Sequence, residues 1–218
     1  MKYELHSYRH ALDIVESTAD LKELWNEVES CLKSISDDDI INNFMNRGLK
    51  RGKSISEPIN ELIRIDLVEK GWTKESKIFN EIPYTTRQAG MKYFRLDFSK
   101  EQNNKGFAIE VSFNHREALA WNLLKPTLSS ELNHVKKAIQ TDIGIIILPK
   151  EEMVGHMASG LDNAVGTYEL VLKYLKVLNA QLTCPMIIVG LNQPSNFCID
   201  TESERGPSGA KLGTVIKR

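Results

Sequence analysis

Apolar positions recur at helical spacing in two segments of the first third of the chain. In residues 18–35 the large apolar side chains fall on one helical face, and the opposite face is acidic. Residues 56–71 repeat this spacing, and Gly71 is a residue type that commonly ends a helix. We therefore predict two helices here, joined by a loop over residues 36–55.

The pattern then changes to short runs typical of strands. We predict strands over residues 77–82, 93–98 and 106–113, which follow one another as a meander. Two later runs, residues 143–148 and 186–191, are almost uniformly apolar. Such runs are typical of strands that are covered on both faces by helices.

Helical spacing alternates with these buried strands in the second half of the chain. Residues 116–139 and 163–179 carry the helical pattern, so the order is helix, strand, helix, strand. This order indicates parallel crossover units, which together with the meander form a mixed central β-sheet with helices on both faces. The predicted fold class is therefore α/β, in a single domain of which residues 1–72 are mainly helical.

Composition supports a single soluble domain. The chain has 218 residues, of which 41% are hydrophobic and 26% charged, as in ordinary globular proteins. No apolar run approaches the roughly 18 residues that a membrane span needs, and the start lacks the apolar stretch of a signal peptide. We therefore expect a cytoplasmic protein without membrane contact. The three cysteines lie far apart, so we expect buried reduced thiols and no zinc site.

Charge is balanced over the whole chain but uneven along it. The formal net charge is −1, which does not by itself indicate a nucleic-acid-binding protein. Two stretches are nevertheless basic: one contains Lys50 and Arg51, and the other begins at Lys211. They are either DNA-contacting segments or ordinary solvated loops.

Two acidic residues in the predicted meander are the strongest candidates for chemistry. Asp97 and Glu110 lie in neighbouring strands, so a hairpin can bring their carboxylates together, and strand alternation places Ser112 on the same face as Glu110. Two carboxylates and a backbone carbonyl suit Mg²⁺ and leave room for water and a phosphate oxygen, as phosphodiester hydrolysis requires. The alternative is that Asp97 caps the hairpin and Glu110 pairs with a surface lysine.

A resemblance to a known family adds to this interpretation. The segments NNKGFAIEVSFNHREALAWNLLKP and TDIGIIILP resemble the catalytic strand, helix and buried strand of the BamHI/BglII/BstYI group of type II restriction endonucleases, which share the PD-(D/E)xK nuclease core. Further segments resemble this group in the same order: LVEKGW, LDF, HMASGLDNAVGTYELVLKYL, CPMIIVGL and KLGTVIKR. The resemblance implies a restriction-endonuclease-like core, with residues 73–191 as the catalytic part and residues 192–218 as a DNA-contacting tail.

The resemblance also implies roles for individual residues. Asp97 and Glu110 match the two metal-binding acids, and the carbonyl of Val111 completes the metal site. Glu81 falls where the group has a further active-site Glu or Asn. Ser112 departs from the pattern, because most enzymes with this core carry Lys there and this group carries Glu or Gln. In the resembled enzymes the residue at this position is thought to position or activate the attacking water, and the short hydroxyl of Ser112 does not fit that role as the longer side chains do.

Two further segments match the parts of the resembled enzymes that contact DNA. One segment directly follows the catalytic strand. An equally good interpretation is that this segment is an ordinary helix start with Asn114 as its cap. The other is a polar loop between a buried strand and a helix. The residues concerned are Asn114, His115, Arg116, Ser159, Asp162 and Asn163.

The function implied is a type II restriction endonuclease. It would cleave double-stranded DNA with Mg²⁺ at a short palindrome, leave 5′-phosphates and act as a homodimer through helices around residues 121–135 and 168–178. The resembled enzymes suggest a GATC-centred site and a four-base 5′ overhang. Two alternatives remain: a structure-selective repair or junction nuclease of the same core, and a DNA-binding relative that is catalytically disabled at Ser112.

Overall fold

The computed structural model describes residues 1–48, 52–81, 94–113, 116–131, 134–157, 165–206, 209 and 211–218. Its helices are α1 Ala11–Ser17, α2 Ala19–Ser34, α3 Asp37–Asn46, α4 Ser56–Glu69, α5 Leu119–Ser130, α6 Val154–Met157 and α7 Tyr168–Val177. Its strands are β1 Tyr3–Tyr8, β2 Thr73–Lys77, β3 Arg95–Gln102, β4 Lys105–Val111, β5 Ile143–Pro149, β6 Met186–Leu191, β7 Phe197–Arg205 and β8 Lys211–Lys217.

Six strands form one mixed sheet in the order β1-β6-β5-β4-β3-β2. The three central strands β4, β5 and β6 run parallel to one another, whereas β1 pairs antiparallel with β6, and β3 pairs antiparallel with both β2 and β4. The remaining strands, β7 and β8, form a separate antiparallel hairpin. The arrangement confirms the predicted mixed sheet.

Helices cover both faces of this sheet. Alternate residues of β5 point to opposite sides: Ile145 and Ile147 pack in the cluster that contains α2, α3 and α4, whereas Ile146 and Leu148 pack in the cluster that contains α5 and α7. All seven residues of β5 are buried, which explains its uniformly apolar sequence. The same alternation in β4 turns Ile109 toward the first cluster and Glu110 toward α5.

Several predicted boundaries were wrong. The strand expected at 77–82 lies earlier, at Thr73–Lys77, where only one of five residues is buried and the apolar alternation is therefore missing. The expected loop at 36–55 contains α3, which a capping box between Ser36 and Asp39 begins. The tail after residue 191 contains the β7–β8 hairpin, which the sequence analysis did not predict.

Two further expectations concern thiols and membranes. Cys31 and Cys184 are buried free thiols, as predicted, whereas Cys198 is a free thiol that is only partly buried. Within the described part of the chain, no helix combines the length and the apolar character that crossing a membrane requires.

Candidate active site

The hairpin of β3 and β4 brings the two predicted carboxylates to one place. The strands pair with Phe98 opposite Ile109, so this register, continued by one residue, sets Asp97 opposite Glu110. The ladder ends there, and the backbone N–H of Val111 instead donates a hydrogen bond to Asp97 Oδ2 at 2.8 Å. Both carboxylates line a cavity of about 320 Å³ at the end of β4. The structure thus brings together Asp97, Glu110, Val111 and Ser112.

Glu110 is an almost fully buried acid with an unusual environment. Its Oε2 lies 2.5 Å from Lys125 Nζ, and its Oε1 has no hydrogen-bond partner among the described residues. Burial raises the pKa of Glu110 to about 8, the negative charge of Asp97 adds to this rise, and Lys125 opposes it. An orphaned carboxylate oxygen inside a polar cavity is a site that a bound cation can satisfy.

Ser112 follows the end of β4 and is also buried. Its backbone N–H donates to the carbonyl of Ile147, which continues the parallel pairing with β5. Its Oγ accepts a hydrogen bond from Asn122 Nδ2 at 3.1 Å, so α5 holds the hydroxyl in place. The hydroxyl still has its own proton to donate toward the cavity.

Helix α5 reaches the site because it packs unusually close to the sheet. A Cβ placed on Gly144 of β5 would lie 2.6 Å from Pro126 Cβ, so only glycine allows this approach. Asn122 and Lys125 are three residues apart and therefore lie on the same face of α5, which is turned toward β4. This close packing places two polar side chains of the helix against Glu110 and Ser112.

Three polar lining residues were missed by the sequence analysis: Asn60 of α4, and Asn122 and Lys125 of α5. A signal existed for Lys125, since it is the lone charged residue in the otherwise apolar stretch of α5 and lies where a buried side chain is expected. No comparable local pattern marks Asn60. A neighbouring cavity of about 250 Å³ shares Asn60, Asp97 and Val111 with the first and adds Arg64 and Lys74.

The structure does not bring Glu81 to this cavity. Its Oε1 accepts a hydrogen bond from the backbone N–H of Lys136 at 2.7 Å, and the nearby bridge between Phe79 and Lys137 ties this segment to the chain that follows α5. Among the described residues no third acidic, histidine or cysteine side chain joins Asp97 and Glu110 as a metal cluster. The geometry therefore does not support the predicted role of Glu81 as ligand or base.

The predicted DNA-contacting residues are described only in part. Arg116 lies exposed in a 3₁₀ turn immediately before α5 and lines a surface cavity with Lys173. Lys211 lies in β8, where its Nζ forms an ion pair with Glu202. The other predicted contacts fall outside the described residues: Lys50, Arg51, Asn114, His115, Ser159, Asp162 and Asn163.

Comparison with known proteins decides the family. Residues 3–191 match the family model described as restriction endonuclease BglII/BglIII. The chain belongs to this family. It is accordingly a type II site-specific deoxyribonuclease, as the sequence analysis predicted. Members of such families generally use a divalent metal ion, which agrees with the paired carboxylates.

Solved structures support the same fold. The chain matches a crystal structure of restriction endonuclease BglII complexed with a DNA 16-mer, with 18% identity and a TM-score of 0.63, and one of free BglII, with 16% identity and a TM-score of 0.53. Both matches cover 100% of this chain and 100% of the other. No curated protein matches the sequence.

Proposed function

We propose that this BglII-family enzyme hydrolyses double-stranded DNA with Mg²⁺ at a short palindromic sequence. The observation that carries the proposal is the buried Glu110, which lies beside Asp97 in an open cavity and has an orphaned Oε1. The match to a BglII structure complexed with DNA supports double-stranded DNA as the substrate.

The residues present suit a hard divalent cation. Mg²⁺ prefers oxygen ligands and is usually bound by one or two carboxylates together with water and phosphate oxygens. Asp97, Glu110 and the carbonyl of Val111 would hold it. When bound, the cation would act as a Lewis acid. It would make water a better nucleophile and would offset negative charge on the phosphate.

The chain's own residues prepare the remainder of the reaction. In the hydrolysis, the oxygen of a water molecule bonds to phosphorus while the bond from phosphorus to the 3′-oxygen breaks. One water proton goes to solvent and the leaving 3′-oxygen takes up a proton from solvent, so the products carry a 5′-phosphate and a 3′-hydroxyl. Ser112, held by Asn122, offers a fixed hydroxyl that can orient this water.

Affinity for the DNA backbone must come from groups outside the acidic pair, because two carboxylates repel phosphate. The neighbouring cavity is lined by the cationic Arg64 and Lys74 as well as by Asp97 and Glu75, and the two cations are the groups there that can bind a phosphate adjacent to the cleaved one. Arg116 at the start of α5 and Lys211 in the β7–β8 hairpin are the described candidates for further contacts. Lys50, Arg51, Asn114, His115, Ser159, Asp162 and Asn163 remain proposed contacts on the basis of the resemblance.

A homodimer would give the symmetry that a palindrome requires, with one active site for each strand. The resembled enzymes suggest a GATC-centred hexanucleotide that is cut to leave a four-base 5′ overhang. We carry both features over to this chain as part of the proposal.

Digestion of plasmid and phage DNA with Mg²⁺ tests the function directly. We expect discrete bands from both DNAs, and sequencing of the ends should give 5′-phosphates on four-base 5′ overhangs. Cleavage of branched substrates alone would point instead to a structure-selective nuclease. Binding without cleavage would point to a disabled relative. A different central tetranucleotide would correct only the proposed sequence.

A further inference from the structure

The cavity that the two acids line is also lined by a buried lysine side chain. Lys125 is 9% exposed, and it is the one basic side chain among the described residues that line this cavity. Burying an ammonium group costs several kcal/mol, which only good partners offset. A lysine at this position therefore needs an explanation beyond the packing of α5.

Glu110 is a partner for one of the N–H donors of the Lys125 ammonium group, and the other donors need a partner elsewhere. Glu110 Oε2 accepts a hydrogen bond from Lys125 Nζ at 2.5 Å, and it is the one acceptor recorded for this ammonium group among the described residues. An ammonium group carries three N–H donors. Two of them are consequently available to a ligand in the cavity.

The ligand expected there is an anion. A phosphodiester approaching Asp97 and Glu110 meets two carboxylates, and negative charge on the phosphate oxygens grows further in the transition state. A fixed N–H donor directed at such oxygens contributes most in a site that excludes water. Lys125 is a fixed donor, because its carbon chain is buried and its charged end is held by Glu110.

Ser112 supplies only a weaker donor. Its side chain is short and uncharged, and its Oγ accepts a hydrogen bond from Asn122 Nδ2, which leaves a single hydroxyl proton to donate toward the cavity. Helix α5 thus contacts two residues around the end of β4: Asn122 holds Ser112, just after the strand, and Lys125, almost one turn later in the helix, reaches Glu110.

We propose that Lys125 is a catalytic residue whose free N–H groups donate to a non-bridging oxygen of the phosphate that is cleaved. The inference rests on the proposed function and names a further residue for it. In this role Lys125 donates hydrogen bonds and transfers no proton, so the balance of the hydrolysis is unchanged: water supplies the new P–O bond, and the 3′-oxygen leaves.

Two substitutions test this role against a matched control. Lys125→Met keeps the length and apolar character of the side chain but removes the charge, and Lys125→Gln keeps a polar end that can bond to Glu110. The control is Lys100→Met, because Lys100 also forms an ion pair, a partly buried one with Glu27, but lies outside the cavity lining. Folding of each variant is checked by circular dichroism and thermal unfolding.

Three quantities are measured on the full-length protein. The first is the single-turnover cleavage rate, with enzyme in excess over a plasmid that the wild type cuts. The second is DNA affinity in Ca²⁺, and the third is Ca²⁺ binding to the DNA-free protein by titration calorimetry. We expect both Lys125 variants to lose about 100-fold or more in rate. They should bind Ca²⁺ at least as tightly as the wild type, because a neighbouring positive charge is gone.

The outcomes separate this inference from the proposed function. A rate within about fivefold of the wild type, in either folded Lys125 variant, would overturn the role of Lys125 while leaving the nuclease function intact. A loss of Ca²⁺ binding that accounts for the whole fall in rate would also overturn it, since Lys125 would then act only by shaping the metal site. A wild-type protein that cuts neither plasmid nor phage DNA would refute the proposed function itself.

Discussion

The backbone N–H of Val111 donates its hydrogen bond to the side chain of Asp97, where the regular pairing of β3 and β4 has just ended. A carboxylate thus takes the place of a strand carbonyl and is fixed at the point where the two strands separate. The separation opens the cavity in which Glu110 lies, so one hydrogen bond both ends the hairpin ladder and orients the first acid.

We expect Asp97→Asn and Glu110→Gln to abolish cleavage but to preserve DNA binding. Each variant removes a proposed ligand charge from the site while keeping the shape of the side chain, so the single-turnover rate should fall about 1000-fold or more. DNA affinity should stay equal or rise, because repulsion of the phosphates decreases. The control is Glu101→Gln, an exposed acid in the same hairpin. A rate within about tenfold of the wild type would contradict the assignment.

The acidic pair was predictable because its geometry is local. Alternation along a strand and the short hairpin between β3 and β4 are enough to place Asp97 near Glu110, and both features can be recognised in the sequence. The uniformly apolar β5 and β6 were equally clear, since burial on both faces leaves no polar positions.

The rest of the site depends on contacts between distant segments. Lys125 reaches Glu110 only because α5 packs against Gly144, and Asn60 reaches the cavity from α4. The contacts of Glu81 depend on distant segments too, since its hydrogen bond from Lys136 and the bridge between Phe79 and Lys137 join this segment to the chain after α5. Strand β1 was missed because its partner, β6, lies at the other end of the sequence.

The close approach of α5 to β5 predicts an effect of Gly144→Ala. The added methyl group would overlap Pro126, whose ring is held in a helix and cannot move freely, so the helix must shift. We expect a loss of about 1–3 kcal/mol in the free energy of unfolding, measured with urea, together with a lower cleavage rate. Gly155→Ala is the control, because a Cβ there meets nothing within 4 Å. An unchanged free energy of unfolding in Gly144→Ala would show that α5 can shift away from the added methyl group without cost.

The proposed homodimer predicts two chains of 24.7 kDa in each sedimenting particle, to which the mass of the DNA adds when a fragment that contains the site is bound. The two helices that the sequence analysis expected to form the interface are α5 and α7. They bury Leu119, Leu123 and Val171 against the sheet, so only their outer faces can contact a second copy of the chain. Val177 of α7 is 81% exposed and is the clearest apolar candidate on such a face. Val177→Lys should weaken association, whereas Met45→Lys on α3 should not. A monomer that cognate DNA leaves unchanged would contradict the dimer.

The buried ring of His156 predicts a loss of stability in mild acid. Burial lowers the pKa of His156 below its usual 6.5, and the nearby charge of Arg218 adds to this, whereas Gln193 and Asp37 oppose it. Its Nδ1 has no hydrogen-bond partner among the described residues, and its ring packs edge-on against Phe197. The unfolded chain therefore takes up a proton more readily than the folded one. The stability contributed by the neutral ring is present above pH 6.5 and is lost as the pH falls through the lowered folded pKa.

His156→Leu should remove that part of the pH dependence. At pH 7.5 the variant need not be more stable than the wild type, but its melting temperature should fall less steeply as the pH drops below 6.5. His134→Gln, which removes an exposed histidine, serves as the control and should keep the wild-type slope. Equal slopes for the wild type and His156→Leu would mean that the buried ring does not titrate on unfolding in this range. The loss of stability in acid would then have to come from paired carboxylates such as Glu29. Burial raises the pKa of Glu29, but hydrogen bonds from Lys33 and Tyr3 outweigh burial and lower that pKa in the folded state.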